Sequence, residues 1–255
     1  MTRILTALVL VPAVLAVMFA APGWLAFLAL FAVACLCYRE YLALVDALSL
    51  ATFAPIGFAC GLIILATPMP GLLIATLLVM LGMILALRLD DLTRALASSA
   101  AFTLGILYTF GAFRTAIDLR QISPHWLLMA CAINWVGDTA AMVAGRSFGK
   151  HKLAPVISPG KTWEGAIASV VAGSAFGVFY ILWAIPTVPW PKTLLIAAAA
   201  NIAGQFGDLA ESAFKRGANV KDSGTMLPGH GGWLDRVDST LFALPVVRFL
   251  LLPWF

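Results

Sequence analysis

Charged side chains are scarce in this chain of 255 residues. It has 16 Lys+Arg and 12 Asp+Glu, 11% of the total, where a soluble domain carries about 25%. With 62% hydrophobic residues and a mean hydropathy of +0.98, an ordinary soluble fold is excluded, because no core of this size hides so much apolar surface. Disorder is excluded too, since such surface does not stay hydrated. Cysteine is also sparse. Cys35, Cys37, Cys60 and Cys131 all fall in apolar runs, and Cys35 and Cys37 diverge on a helix. They read as small packing residues, not as a disulfide framework or a metal site. Of three histidines, only His230 lies in a strongly polar loop; with no second histidine or cysteine near it, zinc is disfavoured. An internal repeat is lacking, which argues against an inverted-repeat transporter.

What the chain has in abundance is long apolar runs. Each helical span needs about 20 mostly apolar residues, and the sequence predicts nine: 4–20, 24–38, 51–67, 71–87, 95–113, 126–143, 165–185, 193–210 and 237–255. The runs lack the alternation of barrel strands. The expected fold is therefore all-α, a polytopic integral membrane protein of about nine transmembrane helices with two cytoplasmic functional loops. It reads as one transmembrane domain over 1–255, with 1–124 mainly scaffold and 125–255 the catalytic half. The first run resembles a signal peptide, but its length and the Phe19-Ala20-Ala21 ending favour a retained helix.

An inward N-terminus puts Arg3, Arg39, Arg88, Arg94, Arg146, Lys150, Lys152, Lys161, Lys215, Arg216, Lys221 and Arg236 on the inner side. Only Arg114, Arg120 and Lys192 fall outside, and Arg248 lies within the last span. That positive-inside bias orients the chain. The net charge of +4 then belongs to a cytoplasmic face suited to anionic lipid and phosphorylated solutes, not to nucleic acid.

Two loops, 144–164 and 211–233, hold most of the unusual chemistry. Asn134 and Asp138 share one helix face, and Asn201, Gln205, Asp208, Ser212 and Lys215 form one stripe. A carboxylate inside a span marks a functional site by default, although Glu211 and Lys215, four apart, also suit a plain helix-end ion pair. The second loop offers Lys221, Asp222, Gly229, Gly231 and Gly232 ahead of a helix opening with Asp235, Arg236 and Asp238. Glycine amides and lysines suit an anion, and hard oxygen ligands such as Asp208 and Asp235 suit Mg²⁺. In the first loop, Gly160-Lys161-Thr162 suggests a P-loop, but Pro155 stands where its first glycine should be and no strand precedes it, so Walker A is rejected. The competing readings are a solvated basic hairpin at the headgroups, or a transporter for an anionic solute lined by Asn134, Asp138, Asn201 and Asp208.

At 212–238 the pattern becomes specific: Ser212, Phe214, Lys215, Arg216, Lys221, Asp222, Gly224, Pro228, His230, Gly231, Gly232, Asp235, Arg236 and Asp238. It resembles the signature of phosphatidate cytidylyltransferases. Trp233 replaces the usual aliphatic residue. The upstream loop, with Asp138, Gly145-Arg146, Gly149-Lys150, Ser158, Lys161, Thr162 and Glu164-Gly165, is similar to that family too, with Gly160 where many members have lysine. The resemblance implies the reaction of CTP with phosphatidate to give CDP-diacylglycerol and pyrophosphate, in an integral membrane enzyme requiring Mg²⁺, with K⁺ as a second cation. It implies Asp208 and Asp235 as metal carboxylates and suggests a homodimer. The residues expected in catalysis are Asp208, Lys215, Arg216, Lys221, Asp222, His230, Asp235, Arg236 and Asp238. Those expected to bind substrate are Asp138, Lys150, Ser158, Lys161, Thr162, Glu164, Ser212, Gly229, Gly231 and Gly232. An ether lipid phosphate is an alternative acceptor. The aspartate cluster of the CDP-alcohol phosphotransferases is not found.

Overall fold

The computed structural model describes residues 2–68, 70–227, 229 and 231–252, with the side chains of 2–10 left aside. The helices are α1 (Thr2–Phe19), α2 (Gly23–Ala47), α3 (Ala54–Ala66), α4 (Gly71–Ala86), α5 (Ala95–Ile106), α6 (Ala112–Ile122), α7 (Pro124–Phe148), α8 (Trp163–Ala184), α9 (Trp190–Gly217) and α10 (Leu234–Leu251). A π-helical turn, Leu107–Gly111, joins α5 to α6. Among the described residues, five helical stretches are long and apolar enough to cross a membrane: Gly23–Ala47, Leu92–Ile122, Pro124–Phe148, Trp163–Ala184 and Trp190–Gly217. Helices α3 and α4 are apolar but shorter. The protein is an all-α integral membrane protein, as the apolar runs predict, because backbone polar groups in lipid must be satisfied within the segment.

Local chemistry sets the helix ends. Pro124 occupies the first turn of α7, and Ser123 Oγ accepts from His125 N at 3.3 Å, the ordinary N-cap arrangement. Arginines close other ends. Arg114 donates to Leu65 O (3.0 Å) at the end of α3, and Arg120 Nε donates to Val17 O and Met18 O (3.2 and 3.1 Å) at the end of α1. Two of the three cations placed on the outer side by the charge count therefore satisfy C-terminal carbonyls that would otherwise lack partners.

Two departures from the sequence reading matter. Helix α2 does not stop at residue 38 but continues through Arg39, Glu40 and Asp46 to Ala47, because a charged turn ends a hydropathy run without ending a helix. The loop after α7 contains an antiparallel hairpin, β1 (Lys152–Ala154) and β2 (Ser158–Thr162), with Lys152 opposite Thr162 and Ala154 opposite Ser158.

The chain forms two compact units. The first comprises Met1–Leu8, Pro22–Ile117 and Phe214–Arg236. Tyr38 lies at its centre, with ring centroids 5.1 Å from Phe58 and 5.3 Å from Phe110. The second comprises Val9–Ala21, Asp118–Ala213 and Val237–Phe255. Its core holds the fully buried Trp126, Met129, Ile133, Ile181 and Ile196. On α8, Val171, Phe179 and Trp183 are exposed, as expected where the solvent is hydrocarbon.

Candidate functional site

In the second unit the site grows from the hairpin and the part of α9 around Asp208. Thr162 ends β2 and caps α8, its Oγ1 accepting from Gly165 N at 3.1 Å. That cap sets the strand against the helix and presents the preceding residue, Lys161. Its Nζ lies 2.6 Å from Asp208 Oδ2 on α9. One turn on, Ser212 Oγ donates to Asp208 Oδ1 at 3.3 Å. A cavity of about 150 Å³ is lined by Asp138, Lys161, Thr162, Gly165, Gln205 and Asp208, among others. Five residues expected from the sequence thus share one environment: Asp138, Lys161, Thr162, Asp208 and, through its hydrogen bond, Ser212. Lys150 is exposed and Ser158 half-buried on β2. Glu164 accepts from the backbone N of His151 and lies 2.7 Å from its Nδ1, so it braces the hairpin's base.

Above this cavity runs a polar ladder between α7, α8 and α9. Asn201 Oδ1 accepts from Ser169 Oγ (3.3 Å) and Gln205 Nε2 (3.0 Å), while Asn201 Nδ2 donates to Ile133 O (3.2 Å). Gln205 Nε2 also donates to Ala166 O, and Asn134 Nδ2 to Ala130 O. Asn134 and Asn201 are buried; Asn134 bonds within its own helix, whereas Asn201 bonds across to α7 and α8, the pattern of interhelical polar packing.

In the first unit the site is the signature segment. Helix α9 ends at Gly217, and Val220 N bonds back to Lys215 O while Asn219 takes a left-handed φ of 56°, a helix stop suited to asparagine. Lys215 therefore sits on the last helical turn. Its Nζ lies 2.5 Å from Asp235 Oδ1, both side chains largely buried (12% and 5% exposed). Asp235 Oδ2 accepts from Ser223 N (2.9 Å) and Gly232 N (2.8 Å) and lies 3.0 Å from Ser223 Oγ. Burial pushes the Asp235 carboxyl up, but the Lys215 hydrogen bond, the two amides and the lysine charge outweigh it and hold it below the usual carboxylate value.

Between them, residues 221–227, 229 and 231 belong to a tight loop. Leu227 N donates to Gly231 O at 3.0 Å, and Gly229 and Gly231 have φ of 76° and 80°, a backbone region that glycine enters without steric cost. A cavity of about 590 Å³ is bounded by Lys221, Asp222, Gly224, Gly229, Gly231 and Arg236. Lys221, Asp222, Arg216 and Arg236 are exposed, and cations at the rim of an open polar cavity suit a phosphate ligand. Asp238 lies in the second unit and accepts from Ser239 N at 2.6 Å. His230 and Pro228 lie outside the described residues.

Sequence reasoning missed Glu40. Its carboxylate, 4% exposed, accepts from Ser223 Oγ (2.9 Å), Trp233 N (3.0 Å) and Leu234 N (2.8 Å). The rule that a carboxylate within a span marks a site would have found it, had the second span been drawn past residue 38.

The described residues contain no group of three or more His, Cys, Asp or Glu able to hold a metal. A carboxylate offers about four lone-pair sites. Asp208 receives Lys161 and Ser212 and is about one-third exposed (32%) on its cavity, so it fits a hard divalent cation. Asp235, with its two oxygens receiving donors from Lys215, Ser223 and Gly232, fits one only after Lys215 withdraws.

The cytidylyltransferase family model matches residues 1–253. The chain is similar to the phosphatidate cytidylyltransferase of Bacillus subtilis (strain 168), 41% identical over 152 residues, covering 58% of this chain and 56% of that protein. The Staphylococcus saprophyticus protein of the same name is 41% identical over 154 residues (60% and 59%). That of Staphylococcus aureus (strain COL) is 35% identical over 201 residues (76% and 77%). The aligned stretch thus spans less than two thirds of the first two relatives and more than three quarters of the third. With a family match running almost end to end, over helices and polar loops alike, the chain belongs to the cytidylyltransferase family.

Proposed function

We propose that this protein transfers the cytidylyl group of CTP to phosphatidate, forming CDP-diacylglycerol and pyrophosphate. The observation that carries this is the joint presence of the family match over 1–253 and a signature loop whose cations rim an open cavity. A phosphatidate oxygen attacks the α-phosphorus of CTP; the new P–O bond forms as the bond to the β-phosphate bridging oxygen breaks, and the electron pair leaves with pyrophosphate. No covalent bond to protein is needed, so positioning and charge neutralisation do most of the work.

In this reading Lys221, Arg216 and Arg236 neutralise phosphate oxygens, and the amides of Gly229 and Gly231 approach them closely, while the amide of Gly232 is taken by Asp235. Lys161 on the hairpin offers a further ammonium, oriented by Asp208, whose other oxygen is held by Ser212. Mg²⁺ is proposed at Asp208; bound there, it would neutralise the triphosphate. The nine-span topology, with the N-terminus and both loops cytoplasmic, belongs to the same proposal and is supported by the charge count. The satisfied Asn134–Asn201 ladder gives the transporter reading no support.

The test is incubation of the purified protein with radiolabelled CTP and phosphatidate, with and without chelator and with K⁺ varied. A labelled liponucleotide that needs a divalent cation is expected. Absence of labelled lipid under every condition, with folded protein, would overturn the proposal; preference for an ether lipid phosphate would change only the acceptor.

A further inference from the structure

Glu40 belongs to α2, far in sequence from the signature segment, yet it is buried against that segment within the same compact unit. Its Oε2 accepts from Ser223 Oγ (2.9 Å) and Leu234 N (2.8 Å), and its Oε1 from Trp233 N (3.0 Å). Leu234 is the first residue of α10. The first amides of a helix have no intrahelical acceptor, and here the cap comes from another helix, with a negative charge at the favourable end of the dipole.

Two glycines of the segment are explained by the same carboxylate. A Cβ at Gly224 would lie 2.5 Å from Glu40 Oε1, and one at Gly232 would lie 2.3 Å from Oε2. Neither has room for a side chain while Glu40 stays in place. Ser223 joins the two acids of the segment, its Oγ lying 2.9 Å from Glu40 Oε2 and 3.0 Å from Asp235 Oδ2. Glu40 thereby fixes both ends of the loop that displays Lys221, Gly229 and Gly231, and the turn that carries Asp235 and Arg236.

We infer that Glu40 is a positioning residue for nucleotidyl transfer, holding the 223–234 loop and the start of α10 in register. The inference rests on the reaction proposed above for its kinetic part, but not for its structural part. Glu40 acts through Ser223, Trp233 and Leu234.

The test compares Glu40→Gln, Glu40→Asp and Ser223→Ala with the parent protein in detergent micelles. Glutamine keeps the size but turns an NH₂ toward the donors. The kcat for liponucleotide formation is expected to fall at least about tenfold in Glu40→Gln with KM for CTP changing less than about threefold, the signature of lost orientation. Glu40→Asp should recover part of that loss and Ser223→Ala should show a smaller loss of the same kind. Amide exchange at Ser223, Trp233 and Leu234 should quicken at least about tenfold in Glu40→Gln, while that of the α7 and α8 core stays unchanged. Parental kcat and parental exchange in Glu40→Gln would overturn the inference. Should Glu40→Gln fail to fold, unchanged exchange and kcat in Ser223→Ala would overturn it equally. If the parent itself makes no liponucleotide, the proposed reaction fails, while the exchange arm still decides whether Glu40 holds the loop.

Discussion

Lys161 Nζ lies 2.6 Å from Asp208 Oδ2, joining the β-hairpin to α9 at the edge of a cavity. Both side chains keep partial contact with solvent, about a quarter and a third exposed. Such a pair contributes little to stability, and its value lies in presenting an ammonium and a carboxylate together where an anion and its cation would bind.

Asp208→Asn should therefore leave the thermal midpoint nearly unchanged and lower kcat for CTP-dependent pyrophosphate release by about 10²-fold or more, the scale of losing one preorganised electrostatic group. Lys161→Ala should follow in the same direction with a smaller loss. Near-parental rates for Asp208→Asn at saturating Mg²⁺ would remove it from the metal role.

Lys215 and Asp235 pose the opposite case, being largely buried. Removing one partner leaves an uncompensated charge, at a cost of about 3–5 kcal/mol. Lys215→Met alone should lower the unfolding midpoint in detergent clearly. The double variant Lys215→Met with Asp235→Asn should regain much of that stability without regaining activity, which separates the structural role of the pair from its chemical one.

Lys221 and Arg236 are exposed at the rim of the larger cavity. Their alanine variants should fold with stability changed by no more than about 0.5 kcal/mol. Activity should fall, with KM for CTP or phosphatidate raised and the deficit growing with salt as electrostatic attraction is screened. An unchanged salt profile and rate would leave the loop as a headgroup anchor only.

Asn201 receives two donors and gives one hydrogen bond inside the membrane-spanning part. Asn201→Leu should destabilise the protein by about 1–3 kcal/mol, the cost of stranding buried polar partners, as read by thermal unfolding in micelles. If the ladder only packs helices, KM for both substrates should be unaffected at temperatures where the variant is folded.

Much of the candidate site is legible in the linear order of residues. The stripe from Asn201 to Lys215 follows from helical period alone, and the glycine-rich segment with its lysines suits an anion, although residue types alone suit a solvated basic hairpin equally and only the family resemblance separates the two. Glu40 was not legible, since its turn of α2 carries charge and drops out of an apolar run. Neither was the partnership of Lys215 with Asp235, which depends on how a glycine loop closes.

Composition and periodicity alone decided that this chain enters a bilayer as helices, because hydrocarbon forbids unsatisfied backbone and the apolar runs have the length to cross it. They also singled out the two short polar segments that are proposed to meet phosphate. Only the tertiary structure decided which charge meets which: Lys161 with Asp208, Lys215 with Asp235, and Glu40 with the first amides of α10. Electrostatic and hydrogen-bond energies depend on separations of a few ångströms, and residues nearly two hundred positions apart acquire such separations only through packing.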